Sequence, residues 1–309
     1  MNSSQRYDTR AWLLFAAMAV LWGTPYLFIS VAVESYSPAA VVAGRTLLGA
    51  VILLPFAIRQ KALRPAYAKI GWVLLFGVIE MAGPFLLLGH AEQTLPSGLT
   101  GLLVATVPLF AAIIAFGGGD RSVLSRARSI GLFVGFVGVF VMVAGPGLAV
   151  EGGNGLIAVG EVLLVALLYA IAPFVIATKL RDVPALGSIT LALLAVGIFY
   201  TPIAFLTQHQ VPPLEDTLAL IALAVLCTAL AFITFFALIA RVGPVRAPLF
   251  TYVNPVVAIV LGTLILGEPL TVGLLIGFPL MMAGCWLAAT GGTVRARKVT
   301  ADLPPIARS

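Results

Sequence analysis

Charged side chains are scarce in this sequence of 309 residues. Only 10% of the residues are Asp, Glu, Lys or Arg, whereas 61% are hydrophobic, and the mean hydropathy is +1.11. Ordinary globular domains carry about 25% charged residues, which cover their surface in water. The composition therefore excludes an ordinary soluble fold and indicates a chain that resides in a lipid bilayer.

The residues that build catalytic and metal centres are equally few. Two cysteines, Cys227 and Cys285, and two histidines predict no disulfide framework, no metal site and no cofactor. Gly117 to Asp120 resemble the GxGD motif of intramembrane aspartyl proteases, but these need a second aspartate in a neighbouring span. The other aspartates lie in predicted loops or tails: Asp8, Asp182, Asp216 and Asp302. Because phosphate-binding, zinc-protease and hydrolase motifs are also missing from the sequence, we expect no enzyme.

Long apolar runs, in contrast, are abundant. A helix needs roughly 20 apolar residues to cross a hydrocarbon layer of about 30 Å. Seven runs of this kind contain no charge, and three more contain one charge each, at Arg45, Glu80 or Glu161. The predicted spans are Ala11 to Val33, Ser35 to Ile58, Ile70 to Gly89, Gln93 to Gly119, Ser129 to Val150, Gly152 to Thr178, Val183 to Gln208, Thr217 to Ala240, Ala247 to Gly267 and Pro269 to Val294. The predicted fold class is therefore an all-α integral membrane protein with ten transmembrane helices.

Lysine and arginine fall on one side of this predicted topology. If the N-terminus is cytoplasmic, 17 of the 18 cations lie in cytoplasmic loops and tails, and Arg45 is the exception. The loops of the opposite side contribute acids only: Glu34, Glu92, Glu151, Glu215, Asp216 and Glu268. Because cytoplasmic loops retain positive charge, the pattern predicts a multi-pass protein of the inner membrane with both termini in the cytoplasm. The net charge of +6 then reflects topology, and we expect no nucleic-acid partner.

Prolines recur at a nearly constant separation, which indicates an internal repeat. The pairs are Pro25 and Pro173, Pro55 and Pro202, and Pro108 and Pro255, which are 148, 147 and 147 residues apart. Each half holds five predicted spans, an odd number, so the second half must cross the membrane in the opposite direction. We therefore predict a cytoplasmic tail at residues 1–10, a first repeat at 11–150, an inverted second repeat at 151–294 and a cytoplasmic tail at 295–309.

Several ordered elements carry a resemblance to a known family. They are Leu21-Trp22-Gly23, Pro38 before a span with Arg45, Pro108 and Pro255 early in the fourth and ninth spans, Gly267-Glu268-Pro269-Leu270, and the glycine-rich fifth and tenth spans. Over residues 11 to 292 the chain resembles the drug/metabolite transporter superfamily, in its EamA-type ten-helix exporter branch. The first copy has Gly119-Asp120 where the second has Gly267-Glu268. The resemblance implies export of small metabolites or drugs, coupled to an ion gradient or by exchange.

The inverted repeat favours the same function class. Two similar halves can exchange conformations and expose a midplane site to each side in turn, as in secondary transporters. We therefore expect export of small organic metabolites by alternating access, with amino acids or related amphipathic solutes as substrates and protons as one option for coupling. A channel or assembly subunit without a transport cycle is the alternative, and an intramembrane enzyme is a less favoured one.

Arg45 and Glu80 are charged residues placed inside predicted spans. Burying an arginine in hydrocarbon costs about 2.5–3.5 kcal/mol on insertion scales, so Arg45 should have a partner. Its planar guanidinium could clamp a substrate carboxylate, or it could form a salt bridge or cap broken helix ends. Glu80 could load and release a proton, or it could be a protonated acid bonded to a neighbouring helix or to Arg45.

Aromatic residues accompany prolines in the first, sixth and ninth predicted spans. Trp22 and Tyr26 are four residues apart and therefore share a helix face. Such faces could line an aromatic cavity between the halves, although aromatic residues in membrane helices also face lipid or its headgroups. The predicted substrate-binding and translocation residues are Trp22, Tyr26, Arg45, Glu80, Tyr169, Phe174, Tyr252 and Asn254, and the predicted hinges are Pro25, Pro84, Pro108, Pro173 and Pro255.

Two further patterns predict structural roles. Glu268 stands before Pro269, where a carboxylate would cap the start of the tenth span. Gly131 and Gly135, like Gly273 and Gly277, have the GxxxG spacing that lets membrane helices approach closely. These faces could pack within the chain or join two copies as a homodimer.

Overall fold

The structure is a computed structural model that describes residues 9–118, 125–145, 153–243 and 247–290. In these four ranges the regular secondary structure is helical, with no strands. Most of the predicted N-terminal tail, the whole predicted C-terminal tail, and Asp120, which corresponds to Glu268, lie outside the described residues.

Ten helices are long and apolar enough to cross a membrane, which confirms the predicted number among the described residues. They are α1 (Thr9–Ala32), α2 (Pro38–Arg59), α3 (Ile70–Ala91), α4 (Ser97–Gly117), α5 (Arg126–Ala144), α6 (Asn154–Lys179), α7 (Ala185–Thr207), α8 (Leu214–Val242), α9 (Ala247–Ile265) and α10 (Val272–Thr290). A short helix, Leu63–Ala68, lies between α2 and α3. We call α1–α5 the first half and α6–α10 the second half.

The two ends of the bundle differ in charge. One end, the basic side, includes Lys69 before α3 and Lys179 at the end of α6, and the Lys69 Nζ donates a hydrogen bond to the Lys179 carbonyl at 3.1 Å. The other end, the acidic side, includes Glu34 and Glu268 in the connections that follow α1 and α9. If successive helices cross in alternating directions, Lys69 and Lys179 lie at the same end of the bundle, and the hydrogen bond between them agrees with this.

Each helix of the first half packs against a helix of the second half. The pairs are α1 with α8, α2 with α7, α3 with α6, α4 with α9 and α5 with α10. The largest buried cluster contains side chains of both halves, among them Leu102 of α4 and Leu223 of α8. The two halves therefore share their apolar core.

Several membrane helices are irregular near their middle. A turn at residues 22–24 interrupts α1 before Pro25, a turn at 105–106 interrupts α4 before Pro108, and α9 starts as the 3-10 segment Ala247–Tyr252 before Pro255. Proline explains these breaks because it has no N–H and its ring clashes with the preceding turn. Pi-helical segments, Val78–Ala82 in α3 and Val225–Leu230 in α8, add two more. In contrast, α6 continues through Pro173 without a break.

Helices α5 and α10 approach so closely that their backbones touch. A Cβ atom built on Gly138 would lie 2.4 Å from the Met281 nitrogen, and one on Gly284 would lie 2.2 Å from the Gly135 nitrogen. The glycine faces therefore pack within the chain, between its two halves. A homodimer stays a prediction, and these faces are already occupied by this contact.

The Gly138→Ala variant is expected to be less stable than the wild type. The added methyl group must push two backbones apart, which typically costs about 1–3 kcal/mol. The measurement is the thermal unfolding midpoint in detergent. Gly160→Ala is the matched control, because nothing lies within 4 Å of a Cβ at Gly160 of α6. Equal midpoints for the two variants would contradict this account of the packing.

Glu268 caps a different helix from the one that the sequence indicates. Its Oε1 accepts a hydrogen bond from the Ser97 backbone N–H at 2.6 Å, and its Oε2 accepts one from Gly98 at 2.9 Å. The capped helix is α4, so the prediction that Glu268 caps the tenth span is wrong. Thr271 performs that role for α10, since its hydroxyl accepts from the Leu274 N–H at 3.2 Å. A loop acid can therefore cap a helix that is distant in the sequence.

Glu268→Ala is expected to destabilise the protein by about 1–3 kcal/mol, because two N–H groups at the start of α4 lose a charged acceptor. Glu268→Gln should lose less, since an amide oxygen can still accept one of the two bonds. The thermal midpoint is the readout. The control is Glu34→Ala, which removes an exposed acid from the same side. A Glu268→Ala midpoint equal to that of this control would rule out the cap as a stabilising contact.

Candidate functional site

Arg45 is buried where the two halves meet. It lies about two turns from the start of α2, and 6% of its surface is exposed. Its Nε donates a hydrogen bond to the Thr228 hydroxyl of α8 at 2.9 Å, and its Cζ lies 3.7 Å from the centre of the Phe85 ring of α3. A cation over an aromatic face is stabilised most when it is shielded from water. The charge is thus held by one hydroxyl and one ring.

Pi-helical segments position both of these partners. Thr228 lies inside the segment of α8, and its hydroxyl donates to the Leu223 carbonyl at 3.0 Å, which leaves its lone pairs for Arg45. Phe85 follows the segment of α3, where the Tyr200 hydroxyl of α7 donates to the Ala82 carbonyl at 3.1 Å. Pi-helical turns occur frequently at functional sites. In this protein the two segments direct Phe85 of the first half and Thr228 of the second half towards the Arg45 guanidinium.

The charge of Arg45 is not paired with an acid. Among the described residues no carboxylate lies within 4.0 Å of its guanidinium, and the ion pair with Glu80 that the sequence left open is not formed there. A guanidinium has five N–H donors, and the bond to Thr228 uses only the one on Nε. The two terminal nitrogens therefore remain available to a ligand.

Three other predicted site residues, Tyr26, Tyr169 and Glu80, lie near this charge or near its partners. Arg45 interacts electrostatically with Tyr26 of α1, Tyr169 of α6, Cys227 of α8 and Glu92 beyond α3. Tyr169 interacts in turn with Glu80 in the pi-helical segment of α3. Arg45, Glu80, Tyr26 and Tyr169 therefore form one polar cluster, to which five helices contribute when α8 is included.

The other predicted residues lie elsewhere. Trp22 packs towards the basic side, where its ring centre lies 5.0 Å from that of Phe235 and 5.4 Å from that of Phe250. The amide nitrogen of Asn254, oriented by its hydrogen-bonding environment, donates to the carbonyls of Phe250 and Ala19 at 3.1 and 3.2 Å. This pair of bonds ties the break in α9 to α1.

Two aromatic predictions also fall outside the polar cluster. Tyr252 packs partly buried against the largest apolar cluster. Phe174 is 47% exposed, so it leaves the interior of the bundle. Neither side chain contacts Arg45, and their roles in translocation stay predictions.

Hydrogen bonds close the acidic side between the two halves. The Ser35 hydroxyl bonds to the Asp216 carboxylate, and the Tyr36 hydroxyl lies 3.0 Å from that of Thr217. Gln208 completes the contact, because its Oε1 accepts from the Ser37 N–H at 2.8 Å and its Nε2 donates to the Ser35 carbonyl at 2.9 Å. These bonds hold the start of α2 against the end of α7 and the start of α8.

Sequence reasoning missed three residues that contact Arg45 or interact with it, namely Thr228, Phe85 and Glu92. Threonine and phenylalanine are ordinary in apolar spans, and the only local signal is that Phe85 directly follows Gly83-Pro84. Glu92 looks like a loop acid, yet it is 6% exposed and neither of its carboxylate oxygens has a hydrogen-bond partner among the described residues. The sequence does not show that this connection folds inward.

Cavities at the helix ends are separate from the polar cluster. One of about 500 Å³ lies on the basic side beside Lys69, Trp72 and Lys179. Another of about 180 Å³ lies on the acidic side between α4, α9 and α10, beside Glu268. Neither is lined by Arg45, Tyr26 or Tyr169, so the site is identified by its unpaired charge.

Comparisons with known proteins agree with this architecture. The EamA-like transporter family matches the chain twice, at residues 9–144 and 156–290. YedA of Escherichia coli (strain K12), named as an inner membrane transporter, is 26% identical over 261 residues, which cover 82% of each chain. The transporter YvbV of Bacillus subtilis (strain 168) is 27% identical over 301 residues, which cover 91% of this chain and 92% of YvbV.

A solved crystal structure has the same fold, with a TM-score of 0.63 and 21% identity over 91% of this chain and 96% of the other. The relatives and the ten apolar helices identify a multi-pass protein of the inner membrane. The family and the names of its members point to a transporter rather than an enzyme. The two family matches confirm the predicted resemblance: this chain belongs to the EamA-like transporter family.

Proposed function

We propose that this protein is a secondary transporter that exports small organic metabolites carrying a carboxylate, such as amino acids, by alternating access. One observation carries the proposal: the buried charge of Arg45 lies between the two halves without an acidic partner among the described residues. An unpaired charge inside a membrane protein is costly, and intramembrane charges mark substrate pathways. A carboxylate bound at the two terminal nitrogens would complete the site.

The relation between the halves supports alternating access. Two family domains with five helices each must cross the membrane in opposite directions. The observed helix pairs are unchanged when every helix is replaced by its counterpart in the other half, since α1 with α8 becomes α6 with α3. The pi-helical segments follow the same symmetry, because one lies in α3 and the other lies in α8, its counterpart in the second half. Two halves related by a two-fold axis in the membrane plane would produce this contact pattern, which supports the proposal.

Two different closures would then act as gates. On the acidic side, the hydrogen bonds of Ser35, Tyr36 and Gln208 join the halves. On the basic side, the rings of Trp22 and Phe235 pack together across the same interface. With the cytoplasmic termini that the cation distribution predicts, the aromatic contact is the inner gate and the hydrogen-bonded contact is the outer gate.

Glu80 and the two tyrosines suit the rest of an amino acid. Glu80 and Arg45 both interact electrostatically with Tyr169, so an acid and a cation lie near one phenol group. A zwitterion could place its carboxylate at Arg45 and its ammonium group towards Glu80. The breaks before Pro25 and Pro108 and the pi-helical turn before Pro84 lie in α1, α4 and α3, and we propose them as hinges. Pro173 and Pro255 complete the proposed set.

The function is tested by a resistance screen followed by a flux assay. Overexpression should protect cells against a toxic excess of the exported metabolite. Proteoliposomes should then move that metabolite with a rate that saturates as its concentration rises. A flux that rises linearly without saturation would identify a channel, and no flux for any metabolite that gives resistance would contradict transport.

Replacing Arg45 should abolish recognition of the carboxylate. We expect Arg45→Gln to lower transport about 10- to 100-fold, because a buried charge-assisted hydrogen bond contributes about 1.5–3 kcal/mol. Arg45→Lys should rescue little, since an ammonium group lacks the planar fork. The measurement is inhibition of transport by the substrate and by its decarboxylated amine, which the wild type should discriminate.

Thr228→Val is the matched control, because it removes the hydroxyl that Arg45 contacts and preserves the side-chain shape. If the guanidinium is only structural, Arg45→Gln and Thr228→Val will both lose stability and both will keep the wild-type discrimination. That result, or wild-type transport by both Arg45→Gln and Glu80→Gln, would refute the proposed role.

A further inference from the structure

Glu92 is a buried acid that the proposed substrate site does not use. It directly follows the last residue of α3 on the acidic side, and its backbone N–H is held by the Leu88 carbonyl at 3.0 Å. Its side chain is 6% exposed, and both carboxylate oxygens lack a hydrogen-bond partner within the described part of the chain. A carboxylate without partners is an expensive group to bury.

The surroundings of Glu92 oppose its negative charge. The carboxylate of Glu268, fixed at the start of α4 by two backbone N–H groups, acts on it electrostatically. Arg45 of α2, which lies beyond ion-pairing distance, and the nearby backbone of Ser30 in α1 act in the opposite sense, but more weakly than burial does. The Tyr26 hydroxyl group also interacts electrostatically with Glu92. Burial, followed by the charge of Glu268, raises the pKa of Glu92 well above its usual range. The neutral acid is thus the form that suits the closed acidic side.

We infer that Glu92 is the proton-binding site of this transporter and that closing the acidic side requires a proton on Glu92. The inference rests on the proposed alternating access. When the acidic side is open, water hydrates the carboxylate, and one oxygen takes a proton from that side. The neutral acid is then buried as the Ser35 and Gln208 contacts form. Opening rehydrates the group, and the O–H bond releases its proton to water.

A metal ion fits this place less well than a proton does. Metal ions such as calcium and magnesium need a shell of several oxygen ligands. Within the described ranges no cluster of three or more His, Cys, Asp and Glu side chains is assembled. His90 and His209 are the two histidines on this side, and the Nδ1 of His90 lies 2.8 Å from Glu161 Oε2. Both histidines are exposed, so closure does not bury them as it buries Glu92.

The sign of the pH effect follows from burial. Closure is favoured at low pH, where Glu92 is neutral in both the open and the closed state. As the pH rises above the usual glutamate pKa of about 4.3, the open state loses its proton first, so closure becomes progressively less favourable. Alkaline pH should therefore open the acidic side.

The distance between two spin labels on the acidic side tests the inference without a substrate. Thr94→Cys and Val211→Cys carry the labels, since both positions are exposed and belong to different halves, and Cys227 and Cys285 are replaced by alanine. In lipid nanodiscs, pulsed electron paramagnetic resonance should show one short distance at pH 5 and a second, longer population at pH 9. Glu92→Gln should remain short at both pH values.

Three variants separate the alternatives. His90→Gln and Glu34→Gln should keep the wild-type pH response, and Glu92→Asp should restore it with a shifted midpoint if the carboxyl group is what matters. A pH response that persists in Glu92→Gln, or that disappears in His90→Gln, overturns the inference. Closure at pH 9 by sodium but not by choline would overturn it in favour of a metal ion. Because the distances need no substrate, failure of the transport assays alone would refute the proposed function and leave this result intact.

Discussion

The rest of this structure is arranged around a guanidinium group that is buried in the apolar interior with no acid beside it among the described residues. Arg45 is stabilised by the Thr228 hydroxyl and the Phe85 ring, which come from two helices of different halves. Both contacts are weaker than a salt bridge, and they leave the terminal nitrogens free. The fold therefore buries a charge that its contacts do not neutralise. A bound anion is stabilised most strongly by a charge in this condition.

The irregular helices follow from the same constraint. A regular α-helix uses all of its internal carbonyls and offers no polar group to a neighbour. The pi-helical segments of α3 and α8 change this, because they turn Thr228 towards Arg45 and leave the Ala82 carbonyl for Tyr200. Similar segments recur at equivalent places in both halves, so one local distortion duplicated with the chain supplies polar groups from two directions.

The sequence predicts the ten helices because length and hydropathy are local properties, and it predicts the repeat because prolines mark fixed positions. It also identifies Arg45, Glu80, Tyr26 and Tyr169, since a charge or a tyrosine beside a proline is unusual in an apolar span. The contacts of Thr228 and the burial of Glu92 depend on packing between distant helices, and no local pattern carries that information. The same reason explains Glu268, which precedes α10 in the chain but binds the start of α4 in space.

The contacts that close the acidic side and the basic side differ in chemistry, so different factors decide when each side opens. Hydrogen bonds on the acidic side exchange for bonds to water at a net cost of only about 0.5–1.5 kcal/mol each, so charge and hydration decide whether that side stays shut. The rings of Trp22, Phe235 and Phe250 lose about 25 cal/mol for every Å² of apolar surface that they expose. Opening the basic side is therefore easiest when a solute replaces those ring contacts. A metabolite that combines a carboxylate for Arg45 with an apolar or aromatic part for these rings meets both requirements, which is why the proposed substrates are amphipathic.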